Sequence, residues 1–153
     1  MKLNTPRWWY ARDRRHAPMT RLFLKPLSWL WAGATARRLA RTTPVDPGAP
    51  VISVGNLTVG GSGKTPVARE ILRLLREAGV DAQALSRGHG GRLAGPHRVD
   101  LAADDADRVG DEPLMLAGDA PAWIARDRAA GARAAVAGGA EAVVLDDGHQ
   151  NPA

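Results

Sequence analysis

The chain has 153 residues and no cysteine, so disulfides and thiolate metal sites are excluded, and the length suits one compact domain better than two. Its formal net charge of +5 is unevenly spread: residues 1–50 hold ten cationic side chains against Asp13 and Asp46, a net of +8, which leaves −3 for the rest. The basic character therefore belongs to an N-terminal segment and not to the protein as a whole. Four of the five tryptophans, Trp8, Trp9, Trp29 and Trp31, share that segment.

From Met19 to Arg41 apolar residues fall at positions 19, 22, 23, 27, 30, 31 and 34, a helical spacing with Pro26 as a kink or start. Arg21, Lys25, Arg37, Arg38 and Arg41 flank or interrupt the run. A spanning helix needs roughly 20 predominantly apolar residues, and Lys25 breaks this one. The pattern predicts an amphipathic helix lying on an anionic membrane surface, with Trp, Leu and Phe toward the acyl chains and cations toward the headgroups. The competing reading is a helix packed on its own domain. A nucleic-acid arm is disfavoured, because no recognised binding module accompanies the charge. Residues 1–41 are thus read as a basic leader and 42–50 ("TTPVDPGAP") as a linker.

After the linker the texture changes. "PVISVG" predicts a short buried strand. A helix is predicted from Lys64 to Ala78, with Val67, Ile71, Leu74, Leu75 and Ala78 on one face and Gly79 just past its end. "VDAQALS" reads as a second strand, and the segment from Arg87 to Pro96 as irregular. "HRVDL" suits a short strand, and a helix covers Glu112 to Ala117. "PAWIA" is a strand, Arg126 to Ala137 a helix, and "AEAVVLDD" a strand ending in two carboxylates. Strands alternating with helices predict an α/β fold, a parallel sheet flanked by helices on both faces.

The chemistry concentrates in "SVGNLTVGGSGKTP". Dense glycine between a strand and a helix leaves backbone N–H groups able to surround an anion at a helix N-terminus. Gly60, Gly61, Ser62, Gly63, Lys64 and Thr65 form the candidate nucleotide site, with Lys64 reaching the outer phosphates of ATP and the Thr65 hydroxyl ligating Mg²⁺. The strict phosphate-loop pattern wants glycine at position 58, where this chain has Thr58. Asp146 and Asp147 end a predicted parallel strand, the side on which open α/β sheets bind ligands. Alone they would be a turn or a helix cap. Beside a phosphate loop they are candidate Mg²⁺ ligands.

The segments "VISVGNLTVGGSGKTP", "LSRGHGG", "VGDEP" and "VLDDGHQNP", in this order and with the leader "PLSWLWAGATARRLAR", resemble the tetraacyldisaccharide 4′-kinases, the lipid A 4′-kinases of Gram-negative bacteria. The resemblance runs from about Trp8 onward. It implies a kinase that transfers the γ-phosphate of ATP, with Mg²⁺, to the 4′-hydroxyl of a lipid-linked glucosamine disaccharide at the cytoplasmic face of the inner membrane. It also implies roles. Asp111 would be the catalytic carboxylate, Glu112 would help organise the metal, and Arg87 would contact the phosphorylated sugar. Read without the resemblance, Asp111 and Glu112 merely start a helix, and Arg87 is a solvated loop arginine. His89 and His149 stand where that family usually has tyrosine and commonly has phenylalanine.

The family's chains are much longer, so residues 51–153 are expected to be the N-terminal part of a phosphate-loop kinase domain. Part of the sheet, a second lobe and a histidine assisting Asp111 would then lie beyond Ala153. The alternatives are a catalytically incomplete, membrane-associated nucleotide-binding module and another phosphate-loop NTPase.

Overall fold

The computed structural model describes residues 18–41, 45–55 and 63–146. The chain divides into two units, Met1–Thr43 and Pro44–Ala153. The first contains helix α1 (Pro18–Arg41), which runs through Pro26. Leu24, Leu27, Trp29, Leu30 and Trp31 are all exposed on it. The helix forms where the spacing predicts one, but its apolar residues do not make a single stripe. Each residue advances about 100° round the axis, so Trp29 and Trp31 stand about 160° apart. Trp29 thus stands off the expected face, and the cations are Lys25 within the apolar stretch and Arg37 and Arg41 near the C-terminal end. No described helix is long and apolar enough to cross a membrane.

The second unit is an α/β sandwich. Strands β1 (Val51–Val54), β2 (Ala82–Ser86), β3 (His97–Arg98), β4 (Ala122–Ile124) and β5 (Ala142–Asp146) form one sheet in the order β1-β5-β2-β4-β3. All pairings are parallel except the antiparallel β3–β4 edge, which Val99 extends by donating its N–H to the Ala122 carbonyl at 2.8 Å. Helices α2 (Lys64–Glu77), α3 (Ala106–Val109), α4 (Asp111–Ala117) and α5 (Arg128–Ala137) complete the unit.

Alternation along the strands sorts the core into two layers. On one side Val54, Ala82, Ala84, Ala142 and Val144 pack with Ala68 and Leu72 of α2 and Leu116 of α4. On the other, Leu85, Val143 and Leu145 meet Ala132 and Ala135 of α5. Every residue of β2 and β5 is buried, as parallel strands covered on both faces require.

Several details depart from expectation. β1 lies at the edge of the described sheet, with Val51 and Ser53 exposed and only Val54 buried. The buried face of α2 is centred on Ala68 and Leu72, while Val67 and Leu74 are half exposed. The apolar residues of this helix span a wide arc, and the sheet takes only part of it. α3 was not anticipated. It is a single turn started by Asp105, whose side chain accepts the Arg108 N–H. α5 begins at Arg128, two residues later than expected, because Asp127 caps it by accepting the Ala130 N–H. Gly79, at φ +81°, follows α2 as the composition suggests.

Candidate nucleotide and phosphoryl-transfer site

β1 and β5 are adjacent and parallel, with Val54 opposite Asp146. The loop leaving β1 and the carboxylate ending β5 therefore emerge side by side at the C-terminal edge of the sheet. The chain returns at Gly63, whose left-handed backbone (φ 76°, ψ 28°) turns it into the first residue of α2, Lys64. The N-terminus of α2 thus aims its backbone amides and positive dipole end at this edge.

One contact joins the two halves of the site. The Thr65 hydroxyl donates to Asp146 Oδ2 at 3.3 Å, across 81 residues of sequence. Asp146 is 2% exposed, a carboxylate drawn into the sheet and held beside a hydroxyl. Hard oxygen donors of this kind, few in number, suit Mg²⁺, which is commonly held by one or two carboxylates together with substrate phosphates. Among the described residues there is no cluster of three or more His, Cys, Asp or Glu side chains of the kind that encloses a metal by itself. Gly60, Gly61, Ser62 and Asp147 lie outside the described residues.

The remaining candidates sit on the same edge of the sheet. Arg87 directly follows β2, the strand that pairs with β5, and is exposed. Asp111 and Glu112 are the first two residues of α4, both exposed, with Pro113 buried beneath them. Their place in a first helical turn is electrostatically favourable whatever else they do. The loop after β2 and the segment leading to α4 are laced together. Arg92 and Leu93 donate their backbone N–H groups to the carbonyls of Asp107 and Arg108, each at 3.0 Å. Two glycines permit that approach. A Cβ on Gly110, whose φ is +94°, would lie 2.5 Å from the His89 carbonyl oxygen, and one on Gly91 would lie 2.6 Å from the Val109 carbonyl carbon. "RGHGG" and "VGDEP" are thus two sides of one tight backbone contact, and that contact sets where Asp111 begins its helix.

Two features of this region escaped the sequence reading. Arg126 lies two residues past β4 at the same edge and donates its N–H to the Ala94 carbonyl at 2.8 Å; a basic residue directly after the predicted strand "PAWIA" was the available signal. Asp104, seven residues before Asp111, is an enclosed carboxylate with several partners, and nothing in "AADDADRVG" distinguished it from its acidic neighbours.

The family model described as tetraacyldisaccharide-1-P 4′-kinase matches residues 20–153. The chain is 67% identical over 153 residues to the tetraacyldisaccharide 4′-kinase of Phenylobacterium zucineum (strain HLK1), covering all of this chain and 45% of that protein. It is 63% identical to that of Caulobacter vibrioides (strain NA1000 / CB15N), again over its whole length and 46% of the relative. The chain therefore spans a little under half the length of these curated relatives. Among solved structures it resembles LpxK from Aquifex aeolicus in complex with ATP, with a TM-score of 0.73 and 30% sequence identity, covering 87% of this chain and 45% of that one.

Proposed function

We propose that this chain, which belongs to the tetraacyldisaccharide-1-P 4′-kinase family, supplies the nucleotide half of a kinase. That kinase moves the γ-phosphate of ATP to the 4′-hydroxyl of a lipid-linked glucosamine disaccharide. The observation that carries this reading is the contact between Thr65 and Asp146, a hydroxyl at the start of the post-loop helix beside a buried carboxylate ending the neighbouring strand. Binding of ATP by the Aquifex aeolicus relative supports it.

In this reading Lys64 meets the outer phosphates, and the amides of residues 60–65 line the phosphate chain. Thr65 and Asp146, with Asp147 and Glu112 in support, would hold Mg²⁺, which neutralises charge on the transferring phosphoryl group. Asp111 takes or orients the proton of the attacking hydroxyl. Arg87 contacts the phosphorylated sugar. α1 brings the enzyme to an anionic membrane surface, the cytoplasmic face of the inner membrane, where the acceptor lipid resides.

Equilibrium titration with Mg²⁺–ATP tests the nucleotide site. Lys64→Ala removes a charge-assisted contact worth about 1.5–3 kcal/mol, so affinity should fall roughly tenfold to a hundredfold while the protein stays folded. Equal affinities for the two proteins would refute the assignment.

A further inference from the structure

Asp104 has no part in the phosphoryl-transfer scheme, yet its side chain is 1% exposed. Its Oδ2 accepts from His97 Nε2 at 2.7 Å and from the Asp100 backbone N–H at 2.9 Å, and Arg108 Nε lies 3.5 Å from Oδ1. These partners come from three places: the edge strand β3, the turn after it, and α3. The same turn is closed further by Asp100 Oδ1 accepting the Ala102 N–H and by the Asp104 N–H bonding to the Asp100 carbonyl. Burying a carboxylate is costly unless it is paired and hydrogen-bonded; two donors on Oδ2 and the Arg108 ion pair beside Oδ1 meet that need, so these partners and the carboxylate hold one another in place.

What this cluster fixes is the segment that ends at Asp111. Asp104 is followed by the Asp105 cap, the single turn of α3, the fully buried Val109, and Gly110 seated on His89. A segment tied at its start by Asp104 and at its end by Gly110 has little freedom left. We infer that Asp104, held by His97 and Arg108, is a positioning residue that sets the placement of Asp111 for phosphoryl transfer. This rests on the proposed kinase reading only for the role of Asp111; the mechanical coupling stands on the contacts alone.

The test uses the protein at the full length of its relatives. Asp104→Asn keeps the shape and removes the charge. Hydrogen exchange of residues 105–111 should accelerate by about tenfold or more, with α2 unchanged. In labelled γ-phosphate transfer to tetraacyldisaccharide 1-phosphate, kcat per bound nucleotide should fall by about tenfold or more, with the KM for ATP within about twofold of wild type. His97→Gln, which keeps a donor, should stay closer to wild type in both measurements than His97→Leu; this pair carries the test if Asp104→Asn does not fold. Unchanged exchange at 105–111 overturns the inference. So does faster exchange with kcat unaltered, or a loss of activity explained entirely by the amount of folded protein. If the wild-type protein transfers no phosphate, the kinase reading fails, and the exchange arm still decides whether Asp104 governs the segment.

Discussion

The carboxylates of this chain differ by what they face. Asp119, on the surface, is held below the ordinary carboxylate range by its hydrogen bonds with Arg69. Asp104 is lowered first by the Asp100 backbone N–H and then by His97, and these outweigh the burial that would raise it. A carboxyl whose folded pKa lies below its unfolded value of about 3.9 adds stability above that value and loses it as pH falls through the folded pKa. Asp104→Asn should therefore lower Tm at pH 7, and the gap from wild type should narrow as pH drops below about 4. Thermal unfolding followed by circular dichroism at pH 7 and pH 3 checks this; a gap that stays constant would show that ionisation of Asp104 is not what stabilises the turn. Gly110 makes a second test at this scale. Its φ of +94° and its closeness to His89 leave no room for a Cβ. Gly110→Ala should cost about 1–3 kcal/mol in denaturant titration, whereas a loss below about 0.5 kcal/mol would mean the two motif loops are not locked together.

Among the elements, α2 shows how far the sequence could be read. Its extent was legible from the glycine signals at both ends, and its amphipathic character from its apolar spacing. Which arc faces the sheet was not, because Val67, Ala68, Ile71, Leu72, Leu74 and Leu75 offer more apolar surface than one contact takes. Leu72 is 0% exposed and Leu74 is 51% exposed. Leu72→Ala should therefore cost about 2–5 kcal/mol, and Leu74→Ala less than about 1 kcal/mol. A larger loss for Leu74→Ala than for Leu72→Ala in chemical denaturation would place the buried face where the spacing alone put it. The strands follow the same logic. Their order along the chain was readable from short apolar runs and turn residues, but the edge position of β1 depends on which strands pair, and no local signal encodes that. The loop that would cradle phosphate was legible as a motif. Its partner Asp146 was legible as a carboxylate ending a strand, but its contact with Thr65 was not, because that depends on the pairing of β1 with β5 across the fold. Asp104 was invisible for the same reason, since its partners are set by a turn and not by a pattern. The roles of Asp111, Glu112 and Arg87 came from the family resemblance.

For the whole molecule, α1 and the α/β unit lead to separate expectations. Leu24, Leu27, Trp29, Leu30 and Trp31 expose apolar surface on a helix that also carries Lys25, Arg37 and Arg41. Apolar burial at the headgroup level and attraction to anionic lipid both follow from that mixture, though the apolar residues go round the helix and do not form one stripe. Sedimentation with anionic vesicles should carry the protein down, less so at high salt, and deletion of residues 1–41 should remove the effect. Binding that survives the deletion would locate the contact in the α/β unit instead.

Activity is the broader test, because the chain covers 45% and 46% of two close relatives. Lys64, Thr65 and Asp146 gather on one edge of a sheet that is complete enough to bury β2 and β5. In the proposed scheme these residues make up the nucleotide half of the site. Phosphoryl transfer needs more: in the proposed scheme the acceptor hydroxyl is held in line with the γ-phosphate and close to Asp111, and positioning of this kind supplies about 7–11 kcal/mol of barrier reduction. The 153-residue chain should therefore bind Mg²⁺–ATP, yet transfer phosphate to tetraacyldisaccharide 1-phosphate far more slowly than a chain of the relatives' full length. In that longer chain Asp111→Ala should remove most of the activity while leaving nucleotide affinity nearly intact. The measurement is transfer of labelled γ-phosphate in detergent micelles, with all three proteins normalised to bound nucleotide. Comparable rates for the short and long chains would show that these 153 residues already contain the acceptor site. An undiminished Asp111→Ala would move the catalytic carboxylate elsewhere.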